Sequence, residues 1–598
     1  MQWMNTRGRW VTAFAVLWAV FLGLSGGPGG QSAWAELMPV WTWMKGSPLF
    51  NRPGTHGTLG TPAEDNTPGA REKAVSWTDP SGALWLFGGS GYDGTRDRIL
   101  LNDLWKYDPA SGNWTWMKGT DSGLQPGTYS TLGTPNAINT PGVREGAVSW
   151  TDPSGALWLF GGYGWDVRGG AGWLNDLWKY DPASGNWTWI KGASVRNQRA
   201  VYGTPGIPAA ANTPGARQDS VSWTDPSGAL WLFGGLGYDG DQTGSLLNDL
   251  WKFDPVSGNW AWMKGSWGFY KPGTYGTLGT PETANTPGAR QNSVSWTDPS
   301  GALWLFGGYG CDGTGDLSCL NDLWKYDPVS GNWTWMKGSW LRSQSGTYGI
   351  LRTPEAANTP SPRFGPVSWT DPSGAFWLFG GYGYDGTRNY GNLSDLWKFD
   401  PVSGNWAWMS GPQTWNQSGT YDPTGTPEAG NTPGGRNGFV SWTDSSGGMW
   451  LFGGMFFSEP INFNLRNDLW RLSMLDRTLP VITLLGDASV TVECGDTYTD
   501  AGAEALDGVG RDLGEDIIVE GLPPAIPPAP GVWTVTYNVI DAAGYPAVEV
   551  SREVTVVDTT PPFITLAGSP EATVECGGIY TDAGATALDA CDGDRTAD

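Results

Sequence analysis

The sequence predicts an all-β protein, a six-bladed β-propeller sealed by a strand from its own N-terminus and followed by β-sandwich repeats. Three observations predict it. First, Gly88-Gly89 recurs at Gly161, Gly234, Gly307, Gly380 and Gly453, each step being 73 residues. Second, the chain holds 91 Gly and 40 Trp in 598 residues with only 16% charged residues. That mixture suits short strands joined by tight turns, and almost no stretch shows the 3.6-residue apolar spacing of an amphipathic helix. Third, the period stops near Pro480, where a different repeat with a shift of 82 residues begins.

Each 73-residue copy reads as a four-stranded meander. In the first copy, Ala74-Val75-Ser76-Trp77 runs into the turn Asp79-Pro80-Ser81-Gly82. Ala83-Leu84-Trp85-Leu86-Phe87 is apolar throughout, as a strand covered on both faces should be. Asp103-Leu104-Trp105-Lys106-Tyr107 follows, then the turn Asp108-Pro109-Ala110-Ser111-Gly112, then Trp114-Thr115-Trp116 with both indoles on one side. Pro presets φ early in such turns and Gly tolerates positive φ at their end. A lone meander leaves apolar faces open, so the copies must stack, and radial stacking makes a propeller.

The sixth copy stops after Asp468-Leu469-Trp470-Arg471-Leu472, with no fourth strand of its own. Its missing piece lies at the other end, where Val40-Trp41-Thr42-Trp43-Met44-Lys45-Gly46 matches the segment 113–119 at the same 73-residue step. This segment is expected to pair with the last blade and cover the edge its third strand would expose.

The repeat resembles the kelch family, of the galactose-oxidase-like propeller superfamily. Kelch repeats carry a double glycine after the second strand, an aromatic in the third and a Trp in the fourth, here Gly88-Gly89, Tyr107 and Trp114. Kelch units run about 50 residues, so the surplus falls in loops. The short Asp-Pro turns lie on one rim, and the long connections lie on the other, including the stretch from Lys118 to Arg144. Rigid scaffolds commonly bind through such loops.

The arginines Arg71, Arg144, Arg217, Arg290, Arg363 and Arg436 recur in phase. The resemblance implies that they can face the channel mouth and hold acidic ligands. The six in-phase aspartates, Asp103 to Asp468, offer mutual pairing as the other reading. Five tryptophans per blade are repeated and belong to blade packing. Trp165, Trp173, Trp267, Trp340 and Trp415 break the repeat and are the ligand-binding candidates, with Phe269, Tyr270, Phe456 and Phe457 beside them, because flat aromatic faces suit sugar rings or peptide side chains. Asp93, Asp239, Asp312 and Asp385 sit in Asp-Gly or Asp-Gly-like loops, where a tight turn and a calcium ligand are both open readings. No cofactor is expected.

One histidine, His56, is present. A galactose-oxidase-like copper centre needs two, so that chemistry is not expected, and Ser-His-Asp catalysis would rest on this single residue. Asp79-Pro80-Ser81-Gly82 has two residues between Asp and Gly where a sialidase Asp-box has one. A carboxylate-pair glycosidase stays open as the alternative function, because only geometry tells it apart.

The tail from Pro480 carries 21 acidic and 3 basic residues, most of the chain's net charge of −24. No basic stripe exists to neutralise phosphates, so a nucleic-acid partner is not expected. Val490-Thr491-Val492-Glu493-Cys494-Gly495 returns as Ala572-Thr573-Val574-Glu575-Cys576-Gly577, and Tyr498-Thr499-Asp500-Ala501-Gly502 as Tyr580-Thr581-Asp582-Ala583-Gly584. This looks like the bacterial immunoglobulin-like repeats of some pesticidal crystal proteins, which implies a spacer or adhesive β-sandwich.

Arg7 and Arg9, an apolar run from Trp10 to Leu24 and Ala33-Trp34-Ala35 read as a secretory signal, too short for a membrane span. The expected layout is a signal peptide over 1–35, the propeller over 36–477, an immunoglobulin-like domain over 478–558 and a truncated second repeat over 559–598. Export suits disulfides, and Cys311–Cys319 and Cys576–Cys591 are the expected pairs. The expected product is a secreted or surface-associated, monomeric binding or adhesion protein for an extracellular protein or glycan, not an enzyme.

Overall fold

The computed structural model describes residues 37–597 apart from 96–97, 242–243, 422, 426, 428–429, 459–461, 477–478, 508–510, 527–528 and 542–545. The expected signal segment lies outside the described residues. Two compact units emerge, Met38–Leu475 and a second containing Asp476–Asp598.

The first unit contains six antiparallel blade sheets, four of them four-stranded and two five-stranded. In the first blade, Val75–Thr78, Leu84–Phe87, Leu104–Asp108 and Asn113–Lys118 pair in that order. Trp77 lies opposite Trp85, and Trp85 opposite Lys106, with a bulge between Leu104 and Trp105. The last blade holds Val440–Thr443, Met449–Phe452 and Leu469–Asp476, and its fourth strand is Leu37–Lys45. The N-terminal strand therefore completes the final sheet as its sequence predicts.

The innermost strands close into a ring. The Ser76 hydroxyl donates to the Ser441 carbonyl, Ser149 to Ser76, Ser222 to Ser149, Ser295 to Ser222, Ser368 to Ser295 and Ser441 to Ser368, at 3.0–3.3 Å. Six steps return to the starting residue. Between blades the core is aromatic: Trp85, Trp105 and Trp114 are fully buried, and Trp114 packs on Phe452 of the preceding blade with centroids 5.6 Å apart. Each buried aromatic removes roughly 150–250 Å² from water, so stacking neighbours is what stabilises a blade.

The double glycine is explained by backbone contact between blades. Gly89 donates its N–H to the Arg144 carbonyl of the next blade at 2.8 Å. A Cβ on Gly88, whose φ is +67°, would sit 2.9 Å from that same carbonyl oxygen. Any side chain there would push the two blades apart.

The long connections after each glycine pair are hairpins rather than irregular loops. Ser90–Tyr92 pairs with Arg98–Leu100 and with Arg71–Glu72. In the third and fourth blades these hairpins fuse with the blade strands, giving Leu230–Tyr238 with Gly244–Asp254 and Leu303–Cys311 with Leu317–Asp327.

The expected Cys311–Cys319 disulfide is absent; both thiols are free and buried. The register pairs Tyr309 with Cys319 and Cys311 with Leu317, which leaves the two cysteines diagonal. Diagonal neighbours lie roughly 7–8 Å apart, beyond the reach of a disulfide. Cys311 packs with Leu246 and Ala289, while the Cys319 Sγ lies 3.5 Å from the Tyr390 hydroxyl. Burial pushes both thiols up to about 11.

In the second unit, Ser489–Glu493, Val550–Val557, Gly531–Asn538 and Ile518–Glu520 form one sheet, and Val481–Leu484 pairs with Ala503–Leu506. Val535, Tyr537, Val539 and Val554 fill its core. Arg552 is buried there and donates to the Asp500 carboxylate. Beyond it, Phe563–Leu566, Ala585–Asp589 and Gly593–Asp594 form a three-stranded sheet. The disulfide joins Cys494 to Cys591 across 97 residues, and Cys576 is exposed and free. The expected Cys576–Cys591 pair is thereby corrected: Cys494 stands 5.4 Å, Cα to Cα, from Cys591 and takes the thiol that the sequence assigned to its repeat mate.

Candidate functional site: the long-loop mouth

The six repeated arginines are not open to ligand. Each is at most 1% exposed and makes a two-pronged pair with its aspartate at 2.6–2.9 Å. Arg71 also donates to the Gly69 and Gly88 carbonyls, both at 3.0 Å, and Trp105 Nε1 donates to Asp103. This corrects their standing as ligand candidates: every arginine fork is consumed in stapling the glycine pair to the third strand. Burial opposes ionisation of Asp103, but the Arg71 guanidinium outweighs it and holds the carboxyl well below its usual range. Tyr129, Tyr202, Tyr275, Tyr348 and Tyr421 each donate a hydroxyl to the aspartate of their blade. In the first blade His56 takes that place, its Nε2 being 3.5 Å from Asp103.

The loop aspartates are buried turn caps. Asp312 accepts the Thr314 and Asp316 N–H groups at 2.8 and 3.0 Å, and its other oxygen accepts the Arg342 N–H at 3.1 Å. Asp93 and Asp385 bind their own turns and the next inter-blade loop in the same way, and Asp239 accepts the Asp241 N–H. The carboxylates of Asp93, Asp312 and Asp385 thereby tie a hairpin tip to a neighbouring segment. Among the described residues no group of three or more His, Cys, Asp or Glu is placed to hold a metal ion.

The unrepeated aromatics divide in two. Trp165, Trp173 and Trp415 are half-buried; Trp173 stands edge-on to Tyr238 with centroids 5.1 Å apart, and its Nε1 donates to Gln218. Trp267 is 56% exposed and Trp340 45%, with Phe269 and Tyr270 similarly open. Trp340 lies against the tip of the fourth blade's hairpin, where a Cβ on Gly313 would sit 2.8 Å from its ring. On the other side of that tip, Gly273 donates to the Asp312 carbonyl, which anchors the segment carrying Tyr270. The exposed aromatics thus straddle one hairpin. Tyr270 has φ +47°, at a position where other copies place Asn51, Asn197 and Asn416. Leu124 and Ser343 take the same left-handed conformation in two further copies, so the turn rather than the tyrosine calls for it.

Inside this rim lies a feature built from two positions that do not repeat. Two residues after each arginine, Lys73, Gly146, Asp219, Asn292, Gly365 and Gly438 all adopt positive φ of 51–65°. Each N–H donates to the carbonyl of its counterpart in the preceding blade at 2.6–3.2 Å, a closed hoop of main chain around the axis. Side chains break the symmetry above it. Lys73 Nζ reaches Asp219 at 2.9 Å over Gly146, and Arg98 pairs with Glu72 at 2.9 Å. A Cβ at Gly146 would sit 2.6 Å from the Asp219 carboxylate. Burial pushes Glu72 up to about 7, with Lys73 opposing and Glu145 adding to the shift. Burial also raises Glu145, against the pull of Lys73. The signal for this site was in the sequence: the two positions after the invariant arginine read Glu-Lys, Glu-Gly, Gln-Asp, Gln-Asn, Phe-Gly and Asn-Gly, where the flanking residues barely change.

Together these features define an all-β protein with a β-propeller and an immunoglobulin-like domain. The segment 482–556 matches the family model described as "Bacterial surface protein, Ig-like domain". No curated protein matches the chain. Among solved structures the chain is similar to YjhT, at 15% identity and TM-score 0.41, over 67% of this chain and 95% of that one. It is similar also to a fungal alcohol oxidase of the AA5 family in complex with copper, at 15% identity and TM-score 0.37, over 84% and 100%. A third likeness, to the lipoprotein BT2262 of Bacteroides thetaiotaomicron, has 18% identity and TM-score 0.13, over 18% and 55%. These scores are too low to carry an argument about activity. The immunoglobulin-like match and the intramolecular disulfide fit an extracellular or surface protein.

Proposed function

We propose that this chain is an exported, kelch-type propeller, held at a bacterial surface through its immunoglobulin-like modules, that binds a protein or glycan ligand on its long-loop face. The exposed aromatics astride the fourth blade's hairpin carry this reading: Trp267, Phe269, Tyr270 and Trp340 stay open to water on a rigid support. Such apolar faces, rimmed by polar loops, mark interaction sites. On this reading the mature chain begins after residue 35 and acts as a monomer without a cofactor. Glycan-array and surface-protein binding by the mature chain tests it. Loss of binding in a Trp267→Ala/Trp340→Ala variant that melts like the parent supports the reading; undiminished binding overturns it.

A second reading, a carbohydrate-active enzyme, is favoured by Glu72 and Glu145, two neighbouring carboxyls whose proton affinity burial raises, that of Glu72 to about 7. Release of reducing sugar that Glu72→Gln or Glu145→Gln abolishes would establish it.

A further inference from the structure

We propose that a groove between the second and third blades, beside their short Asp-Pro turns, takes the arginine side chain of a protein partner. It opens at the short turns rather than among the long hairpins, and it stands independently of the exposed aromatics.

The groove is a cavity of about 630 Å³, within the roughly 300–1,000 Å³ usual for ligand pockets. Its walls are largely apolar: Pro153 from a turn of blade two, Pro255 and Val256 from a turn of blade three, with Pro208, Ala261 and Met263 beside them. Gly206 stands at one side and donates its N–H to the Trp262 carbonyl at 2.7 Å. A Cβ at Gly206 would meet nothing within 4 Å.

The molecule carries a filled copy of this groove. Every lining residue recurs 146 positions on, between blades four and five, with one exception: the counterpart of Gly206 is Arg352. The Arg352 N–H donates to the Trp408 carbonyl at 2.7 Å, and its φ is +61° against +74° for Gly206, so the two positions share one backbone. Burial follows the exchange. Lys398 keeps 14% of its side chain exposed, against 32% for Lys252. Met409 and Ala407 are buried, whereas Met263 is half-buried. Arg352 Nε is buried as well. The arginine side chain therefore packs into its own groove, while the third-blade groove keeps the same walls around an open cavity.

Shape and charge select the same occupant. An alkyl stem can lie along apolar walls while its planar, charged head stays near the opening. Three charged side chains line the groove, and two are matched: Lys252 pairs with Asp225 at 3.0 Å and Asp152 with Lys179 at 2.9 Å. Asp254 accepts the Val256 and Ser257 N–H groups at 2.9 and 3.2 Å and makes no ion pair among the described residues. The charge left over is one carboxylate, which attracts a cation and repels an acidic group. In the filled groove Arg352 Nε has no hydrogen-bond partner, so packing of the stem carries the fit and the carboxylate adds attraction at longer range.

The test uses the mature full chain and a blocked Gly-Arg-Gly peptide bearing a photoreactive diazirine, with Gly-Leu-Gly and Gly-Lys-Gly versions in parallel. Mass spectrometry maps the labelled segments. The arginine probe is expected to label residues 252–263. Gly206→Arg, which gives the groove its own filler, should cut that labelling about tenfold or more, and Arg352→Gly should add labelling at 398–409. Thermal melts matching the parent show that each variant is folded; if Arg352→Gly fails to fold, the Gly206→Arg comparison decides. No labelling at 252–263, or labelling that Gly206→Arg leaves unchanged, overturns the proposal. Equal labelling by the leucine or lysine probe overturns arginine as the occupant.

Discussion

Trp41 lies against Phe379 with ring centroids 4.9 Å apart and against Trp369 at 6.2 Å, so the strand Leu37–Lys45 is buried on the fifth blade as well as paired with the sixth. Trp114 makes the same kind of contact with Phe452 and Trp442 one blade on. The seal is therefore a repeat unit displaced to the other end of the chain, not an added clasp.

Replacing Trp41 by Ala should cost about 3–5 kcal/mol, the usual range for a buried Trp, and removing residues 37–46 should unfold the propeller cooperatively. Thermal melts followed by tryptophan fluorescence check this. A truncated chain that melts like the parent would show that the ring closes by other means.

The Arg217–Asp249 pair is fully buried. Arg217→Met should destabilise by roughly 3–5 kcal/mol, because Asp249 would stay desolvated without its partner. The double variant Arg217→Met/Asp249→Leu should recover part of that loss. Urea melts of the single and double variants measure the difference; an Arg217→Met chain of parental stability would contradict the role assigned to the ring.

Stability should be highest near pH 4–5 and fall on both sides. Glu72 and Glu145 have raised folded-state values, so the stability from their protonated forms is present below about 4.5 and is lost as pH rises, for Glu72 through about 7. Asp103, Asp176, Asp395 and Asp468 are depressed the other way, so their contribution is present above about 3.8 and lost in acid. Melting temperature against pH checks it: Glu72→Gln should flatten the decline between pH 5 and 8 and leave the acid limb unchanged.

Thiol counting should distinguish the five cysteines. In the native, oxidised chain only exposed Cys576 should react with a thiol reagent. Denaturation without reductant should add the buried Cys311 and Cys319, and reduction should release Cys494 and Cys591. Mass spectrometry of labelled peptides reads each site directly. Native labelling of Cys319, or its absence at Cys576, would contradict the pairing.

Much of the blade was legible because its interactions are local or repeat-spaced. Trp77 meets Trp85 across a turn, and the Arg71–Asp103 pair sits at one separation in all six copies. The disulfides were not legible, since a diagonal offset in the Leu303–Cys311 ladder and a contact across 97 residues leave no mark in spacing. The mouth was not legible for a different reason: it is built from the two positions after each arginine, which differ from blade to blade and meet only when the ring closes.

By itself the sequence determined the number of sheets, their strand order and the origin of the last strand, because identical units that cannot bury their own faces admit one closed arrangement. Only the tertiary structure decided that the arginines turn inward to Asp103 and its counterparts, that Cys494 rather than Cys576 meets Cys591, and that Glu72, Lys73, Glu145 and Asp219 gather at one mouth. Those outcomes depend on which side chains converge across blades, and distances between residues 73 or 146 positions apart in the chain are set by ring closure, not by any local preference.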